Sequence, residues 1–391
     1  MNGNDTSGVR TWIEVNTRAV AHNINVFRAR IPKQAKLMAV VKSNAYGHDL
    51  LQFSKEAERL GADWLGVDSM VEARALRRAG LRLPMLVLGY TLPELFAEAA
   101  ENNISLTVSS FETLAALKKV EFSRPLKVHI KVDTGMHRQG FLLSEQKKLL
   151  SLLQTIDYPP ERPLRRAGTL PILVEGLYTH FANAKNPAFF ADTRAQTAEF
   201  EKWIAAFKKA GYKPIVHAAA TEGALLFPEA HYDMVRIGIG LYGLWPAVET
   251  KEFLRDKIIL KPALEWKSIV SEIKKVPRGA RVGYDYAEML GRDTLLGIVP
   301  VGYWHGYPRA LSSIGHVVVR GKECKIVGRV SMDMLTIDLT DVKGARVGDE
   351  VVVLSSDSVS PASAEALVRV ADASWYELIT RLNPLIKRVY T

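Results

Sequence analysis

The chain has 391 residues, 48% hydrophobic and 24% charged, an ordinary soluble mixture that is long for one core and points to two domains. No apolar run approaches the roughly 20 residues of a membrane span, and the single cysteine, Cys324, excludes an internal disulfide and a cysteine-rich metal site while fitting a reducing cytoplasm. The formal charge of +10 is scattered over doublets such as Arg77-Arg78, Arg165-Arg166 and Lys274-Lys275, with no basic stripe interleaved with aromatics. This argues against a nucleic-acid partner and modestly favours anionic small ligands.

Residues 1–10 read as a polar, disordered leader with no signal-peptide core. Short apolar runs then follow at 37–42, 64–67, 84–88, 104–108, 126–132, 172–180, 214–218 and 233–237. They do not alternate strictly, as expected of buried parallel strands. Amphipathic stretches separate them. Val20, Ile24 and Phe27 share one helical face, Ser69-Met70-Val71-Glu72 has the pattern of a capping box, and the run Thr193–Ala210 stops at Gly211. Eight such units over 11–250 predict an α/β fold with a (β/α)8 TIM-type barrel. The strand at 11–15 belongs either to it or to the domain that follows. A doubly wound sheet fits the count equally, but no Gly-x-Gly-x-x-Gly follows the first strand. From 251 to 391 short strands separated by turns such as Pro277-Arg278-Gly279 predict a mostly-β C-terminal domain, with Pro361–Val370 its only helix-like stretch.

Lys42 stands where the run Leu37–Val41 ends and a polar turn containing Gly47 begins. Ligands gather at the carboxyl ends of parallel strands, and an amine there can form a Schiff base with a carbonyl cofactor. Three further strand ends carry Lys131-Val132-Asp133-Thr134-Gly135-Met136-His137-Arg138, Tyr178-Thr179-His180-Phe181 and Val235-Arg236-Ile237-Gly238-Ile239-Gly240. Singly, each has a plain structural reading. Lys42 is a solvated lysine, Lys131 a partner of Asp133, His180 a structural histidine, Arg236 a salt-bridged core arginine, Tyr46 a packing residue and Tyr284 a strand aromatic.

Together, these motifs resemble those of the alanine racemase family from about Thr11 to Arg388. They are joined by Arg281-Val282-Gly283-Tyr284, Pro300-Val301-Gly302-Tyr303, Gly328-Arg329-Val330-Ser331-Met332-Asp333 and Trp375-Tyr376-Glu377. The resemblance implies pyridoxal 5′-phosphate as cofactor and Lys42 as its Schiff-base lysine. It implies that Tyr46, Thr221, Tyr376 and the backbone of Gly238 and Ile239 hold the phosphate. Arg138 would lie near the cofactor's phenolic oxygen and the substrate carboxylate, and Lys131, carbamylated, would hold it in place. Arg236 would face the pyridine nitrogen, where its permanent proton disfavours ring protonation, and His180 would orient it. Tyr284 is implied as the second catalytic base, delivered by a neighbouring subunit, with Met332 and Tyr303 near the substrate. A free tyrosine titrates near pH 10, so that role needs nearby positive charge.

The implied activity is two-base interconversion of L- and D-alanine by a cytoplasmic homodimer with shared sites, supplying D-alanine for peptidoglycan. The substrate is a small neutral amino acid, and no nucleic-acid or membrane partner is implied. A broad-specificity or serine-preferring racemase, a barrel-type decarboxylase and a non-catalytic cofactor-binding protein are the rivals. The chain departs from the family pattern at Asp49, Lys185, Ala220 and Asp285. Ala220 stands where an amide usually serves the phosphate region, and Asp49 and Asp285 stand where glycines are usual.

Overall fold

The structure, a computed structural model, describes residues 6–156 and 172–391. The Arg165-Arg166 doublet and the first five residues of the expected leader lie outside the described residues. Eight strands form one parallel sheet: Lys36–Val40 (β2), Trp64–Val67 (β3), Met85–Val87 (β4), Ile104–Val108 (β5), Leu126–Lys131 (β6), Ile172–Tyr178 (β7), Ile215–His217 (β8) and Met234–Ile237 (β9). Their order is β8-β7-β6-β5-β4-β3-β2-β9. The sheet closes on itself where the amides of Asp233 and Arg236 donate to the carbonyls of Val216 (3.0 Å) and Ala219 (2.9 Å). This is the barrel, not the doubly wound sheet.

Alternation decides what fills it. Leu37 and Ala39 belong to the large core that the surrounding helices cover. Met38 instead packs with Trp64, Leu86 and Met234 in a separate buried cluster, one layer of a filled barrel interior. Trp64 stands edge-on to His129 at 5.3 Å between ring centres. His129 has room because β7 has a glycine beside it: a Cβ on Gly176 would overlap the imidazole.

The strand Thr11–Val15 (β1) pairs with the C-terminal domain: antiparallel with Leu264–Ile269 (β10) and parallel with Lys387–Tyr390 at the chain's end. The rest of that domain is a set of short strands. Its helices include Ala364–Ala371, which overlaps the expected stretch and ends one residue beyond it, and also Trp375–Thr380. The second was not expected, because six residues leave too short an apolar period to read. Its start is marked by Ser374, whose hydroxyl accepts from the Tyr376 amide at 3.2 Å.

After β2 the chain makes a left-handed helical turn. Ser43, Asn44 and Ala45 have φ/ψ of 56/52°, 56/43° and 50/49°, and Tyr46 has φ of 51°. Each non-glycine residue in this region costs about 1–2 kcal/mol, so the turn must be held from outside. One carboxylate does much of this. Glu72 accepts from the amides of Ser43 (2.7 Å) and Asp68 (2.8 Å). The capping box expected at Ser69–Glu72 is therefore not made, and Ser69 makes no side-chain cap bond. Its glutamate is recruited to the strained turn instead. Asn44 Oδ1 accepts from the Leu50 amide at 2.9 Å, and the Tyr46 ring stacks on Tyr242 at 4.8 Å.

Candidate active site

A cavity of about 480 Å3 opens at the carboxyl ends of the barrel strands, within the size range of ligand pockets. Lys42, Tyr46, Lys131, Arg138, His180, Thr221, Arg236, Gly238, Ile239 and Tyr376 all line it. Ten expected site residues, spread over more than 330 positions of chain, thus meet at one place. Lys42 Nζ is half-exposed and lies 3.5 Å from Asp68 Oδ1.

Arg236 is buried and fully engaged. One nitrogen donates to His217 Nδ1 (2.8 Å); the other donates to the carbonyls of Thr179 and Ala218 (both 2.8 Å) and to His180 Nδ1 (3.1 Å). A guanidinium can only donate, so both histidines must accept at Nδ1 and carry their proton on Nε2. His217 then donates from Nε2 to His129 Nδ1 at 2.9 Å, which makes His129 an Nε2–H tautomer as well. That nitrogen lies 3.4 Å from Glu175 Oε2, too poorly directed for a well-formed hydrogen bond. Glu175 also accepts from Ser105 Oγ at 2.5 Å and faces Lys127 Nζ at 3.1 Å. Burial pushes the Glu175 carboxyl up, but His129, Ser105 and Lys127 outweigh it and hold the group down at about 2. Burial, then neighbouring cations, keep His180 and His217 neutral, well below the usual imidazole range. Burial lowers Arg236 to about 10, so it stays charged at neutral pH. Among the described residues it has no carboxylate partner, so it is not the salt-bridged core arginine that is the plain alternative. His180 Nε2–H is left for a partner in the cavity.

Lys131 is not paired with Asp133 either. Its Nζ donates to Gln139 Oε1 at 3.0 Å, while Asp133 Oδ1 accepts from the amides of Gly135 and His137. Burial and then the charges of Arg138 and Arg236 lower Lys131 to about 8, so its amine loses its proton more easily than an ordinary lysine does. Arg138 is exposed and makes no ion pair among the described residues. Tyr178, Gln139, Asp68 and Glu222 line the cavity too; sequence reading did not single them out. For Tyr178 a signal was present, since it ends β7 within the quoted motif. Its ring stacks on His217 at 4.7 Å, with 7° between planes.

At the other end of the cavity Thr221 Oγ1 accepts from the amides of Gly238 (3.2 Å) and Gly240 (3.3 Å). A Cβ on Gly238 would come within 2.8 Å of the Tyr46 hydroxyl, so only glycine keeps that corner open. Burial raises Tyr46 and Tyr376 well above the usual phenol range, and the nearby Glu222 raises both further. Burial likewise raises the Glu222 carboxyl itself, against the pull of Arg236 and Lys185.

Tyr284, Tyr303 and Met332 do not reach this cavity within the chain. They line a separate concavity on the C-terminal domain, with Arg309, Arg329 and Arg381. Tyr284 is 70% exposed, and Tyr286, Met289, Trp304, Met332 and Met334 are exposed too.

Two family models match the chain: alanine racemase, N-terminal domain, over residues 15–246, and alanine racemase, C-terminal domain, over 263–390. An alanine racemase of Symbiobacterium thermophilum is 37% identical over 99% of this chain and 98% of its own length. Alanine racemase 1 of Oceanobacillus iheyensis is 36% identical over 90% of each. Among solved structures, alanine racemase from Bacillus anthracis with bound L-Ala-P superposes with a TM-score of 0.88 at 34% identity, covering 98% of this chain and 95% of that one. Alanine racemase from E. faecalis superposes with a TM-score of 0.87 at 30% identity, with 99% of each chain covered. With both domain models matched and these relatives alike end to end, the chain belongs to the alanine racemase family.

Proposed function

We propose that this chain interconverts L-alanine and D-alanine with pyridoxal 5′-phosphate as cofactor, in a cytoplasmic homodimer whose sites are each built from both subunits. The observation that carries this reading is the convergence of an amine, two arginines, a buried lysine and a glycine-lined hydroxyl corner in one cavity. The residues present fit the cofactor. Lys42 offers a primary amine for its aldehyde. Tyr46, Tyr376, Thr221 and the backbone of Gly238 and Ile239 would hold its phosphate in a corner that a Cβ at 238 would fill. Arg236, unable to accept a proton, would face its ring nitrogen.

When bound, the cofactor supplies the electron withdrawal that acidifies the α-hydrogen of an amino acid. Lys42 Nζ then moves that proton on one face of the α-carbon, and the Tyr284 hydroxyl of the partner subunit moves it on the other. Arg138 binds the substrate carboxylate as a fixed anion clamp, and Met332 and the Tyr303 side chain close the entrance from the partner's side. Sharing is supported by exposure: Tyr284 stands on a largely uncovered surface of its own domain that joins exposed tyrosine, tryptophan and methionine side chains to three arginines, the kind of patch that another subunit covers. Lys131 is the site of carbamylation. Its neutral amine attacks carbon dioxide, forming an N–C bond and releasing one proton, and the resulting anion sits between Arg138 and Arg236.

Three outcomes are expected. L-alanine incubated with the protein in heavy water yields D-alanine carrying solvent deuterium at the α-carbon, and Lys42→Ala slows this by at least about 10²-fold. Carbon dioxide release, or a bound chromophore without turnover, contradicts the reading. Carbon-13 NMR of protein in labelled bicarbonate shows a carbamate signal that Lys131→Arg abolishes; its absence from the parent protein removes that modification. The pH dependence follows from Glu222, whose raised pKa keeps it neutral to a higher pH than an ordinary carboxyl. Once ionised, it opposes the phosphate. Cofactor affinity, followed by absorbance, should therefore fall as pH rises through its titration, and Glu222→Gln should flatten that limb. Coincident curves for the two proteins count against this role.

A further inference from the structure

Asp68 lines the active-site cavity, and its Oδ1 lies 3.5 Å from Lys42 Nζ. The parallel register brings the two together. Val40 of β2 stands opposite Gly66 of β3, so two residues further on Lys42 comes level with Asp68. Both side chains are half-exposed, and a pair of that kind on free backbones contributes little. Here both backbones are clamped. Glu72 accepts the Ser43 amide on Oε1 (2.7 Å) and the Asp68 amide on Oε2 (2.8 Å), so one carboxylate ties the residue after Lys42 to Asp68. The Val41 amide donates to the Gly66 carbonyl at 2.8 Å. On the far side the Gly89 amide donates to the Asp68 carbonyl at 3.0 Å, and a Cβ on Gly89 would overlap that carbonyl. Where the turn ends, a Cβ on Gly47 would overlap the Ile379 carbonyl.

The other charges around this amine repel it or are occupied. Lys131 and His180 feel the charge of Lys42, and Arg138 and Arg236 line the same cavity. Both oxygens of Glu72 serve amides, and burial holds Glu222 toward its neutral form. The phenols of Tyr46, Tyr178 and Tyr376 keep their protons, since burial raises all three. Among the described residues Asp68 is thus the one carboxylate at ion-pair distance from the amine.

We propose that Asp68 is a positioning residue for Lys42: its carboxylate holds the lysine's ammonium group at one point of the cavity wall whenever that nitrogen is not joined to the cofactor. Without it, repulsion from Lys131 and the two arginines favours a Lys42 side chain swung toward solvent. When the ammonium gives its proton to the α-carbon, the nitrogen is left neutral and Asp68 remains a carboxylate. That proton-giving role rests on the function proposed above; the pairing of Asp68 with Lys42 does not.

Two measurements test this. In the full chain freed of cofactor and labelled with carbon-13 lysine, NMR follows the Lys42 Cε signal, identified by its loss in Lys42→Ala, as pH rises. Asp68→Asn keeps the side chain's shape and removes its charge, which favours the neutral amine. It should move the midpoint of that signal down by about 0.3–0.7 of a pH unit, and Asp68→Glu should restore it. In the loaded enzyme, Asp68→Asn should raise the α-deuterium isotope effect on kcat/KM for the alanine enantiomer whose hydrogen Lys42 takes, and not for the other. An unmoved midpoint in Asp68→Asn, or an equal lowering in Asp68→Glu, would overturn the pairing. Equal changes for both enantiomers would overturn the positioning role. A parent protein that does not racemise alanine counts against the proposed function, and the NMR titration then decides the pairing alone.

Discussion

Positive charge is concentrated at the rim of the barrel. Lys42, Lys131, Arg138 and Arg236 line one cavity, yet among the described residues only Asp68 comes within ion-pair distance of any of them. Such a cluster is unstable by itself, because like charges repel and burial penalises each. The protein manages it with dipoles. Arg236 is held by two carbonyls and two imidazoles, and the imidazoles are kept neutral by burial first and then by the cations they serve. The compensating carboxylate, Glu175, stands away at the end of a chain of histidines. The cations therefore stay free for an anion that arrives from outside, and a phosphate-bearing cofactor with a carboxylate substrate meets that demand.

Strain is distributed by the same logic. The turn that presents Lys42 is left-handed over successive non-glycine residues, and such conformations persist only where the surroundings dictate them. Glu72, Asn44 and the stacking of Tyr46 on Tyr242 supply that support. Two departures from the family pattern also fall on backbone of positive φ. Asp49 and Asp285, which replace usual glycines, have φ of 79° and 58°. Each has a compensating contact: Asp49 caps the Gln52 amide at 2.8 Å, and Asp285 pairs with Arg329 at 2.8 Å. Asp285, with φ/ψ of 58/15°, is close to the left-handed helical region, which aspartate tolerates better than most residues; Asp49, with ψ of 113°, lies outside that region, and its turn rests on the cap it makes.

The barrel was legible because its strands are short, apolar and regularly spaced, and the cavity-lining residues were legible because they follow those strands. What was hidden depends on contacts between distant positions. Glu72 reads locally as half of a capping box, and only the folded chain brings it to Ser43. His129 and Glu175 are ordinary strand residues until the closed barrel stacks them beneath Arg236. The helix at Trp375–Thr380 is defined by packing against the Lys42 turn rather than by its own six residues. Glu222 drew no notice because its neighbours Tyr46, Tyr376 and Lys185 are remote in sequence.

The proposed division of the site between Lys42 and Tyr284 has a sharp consequence. Lys42→Ala and Tyr284→Phe, each inactive alone, place their defects in one composite site of a mixed dimer and leave the other intact. Mixing the two variants under conditions that exchange subunits should restore about a quarter of the unmodified rate, half the dimers being mixed and each holding one good site. Mixed dimers that form but stay as inactive as their parents would show that the amine and the phenol do not meet across subunits.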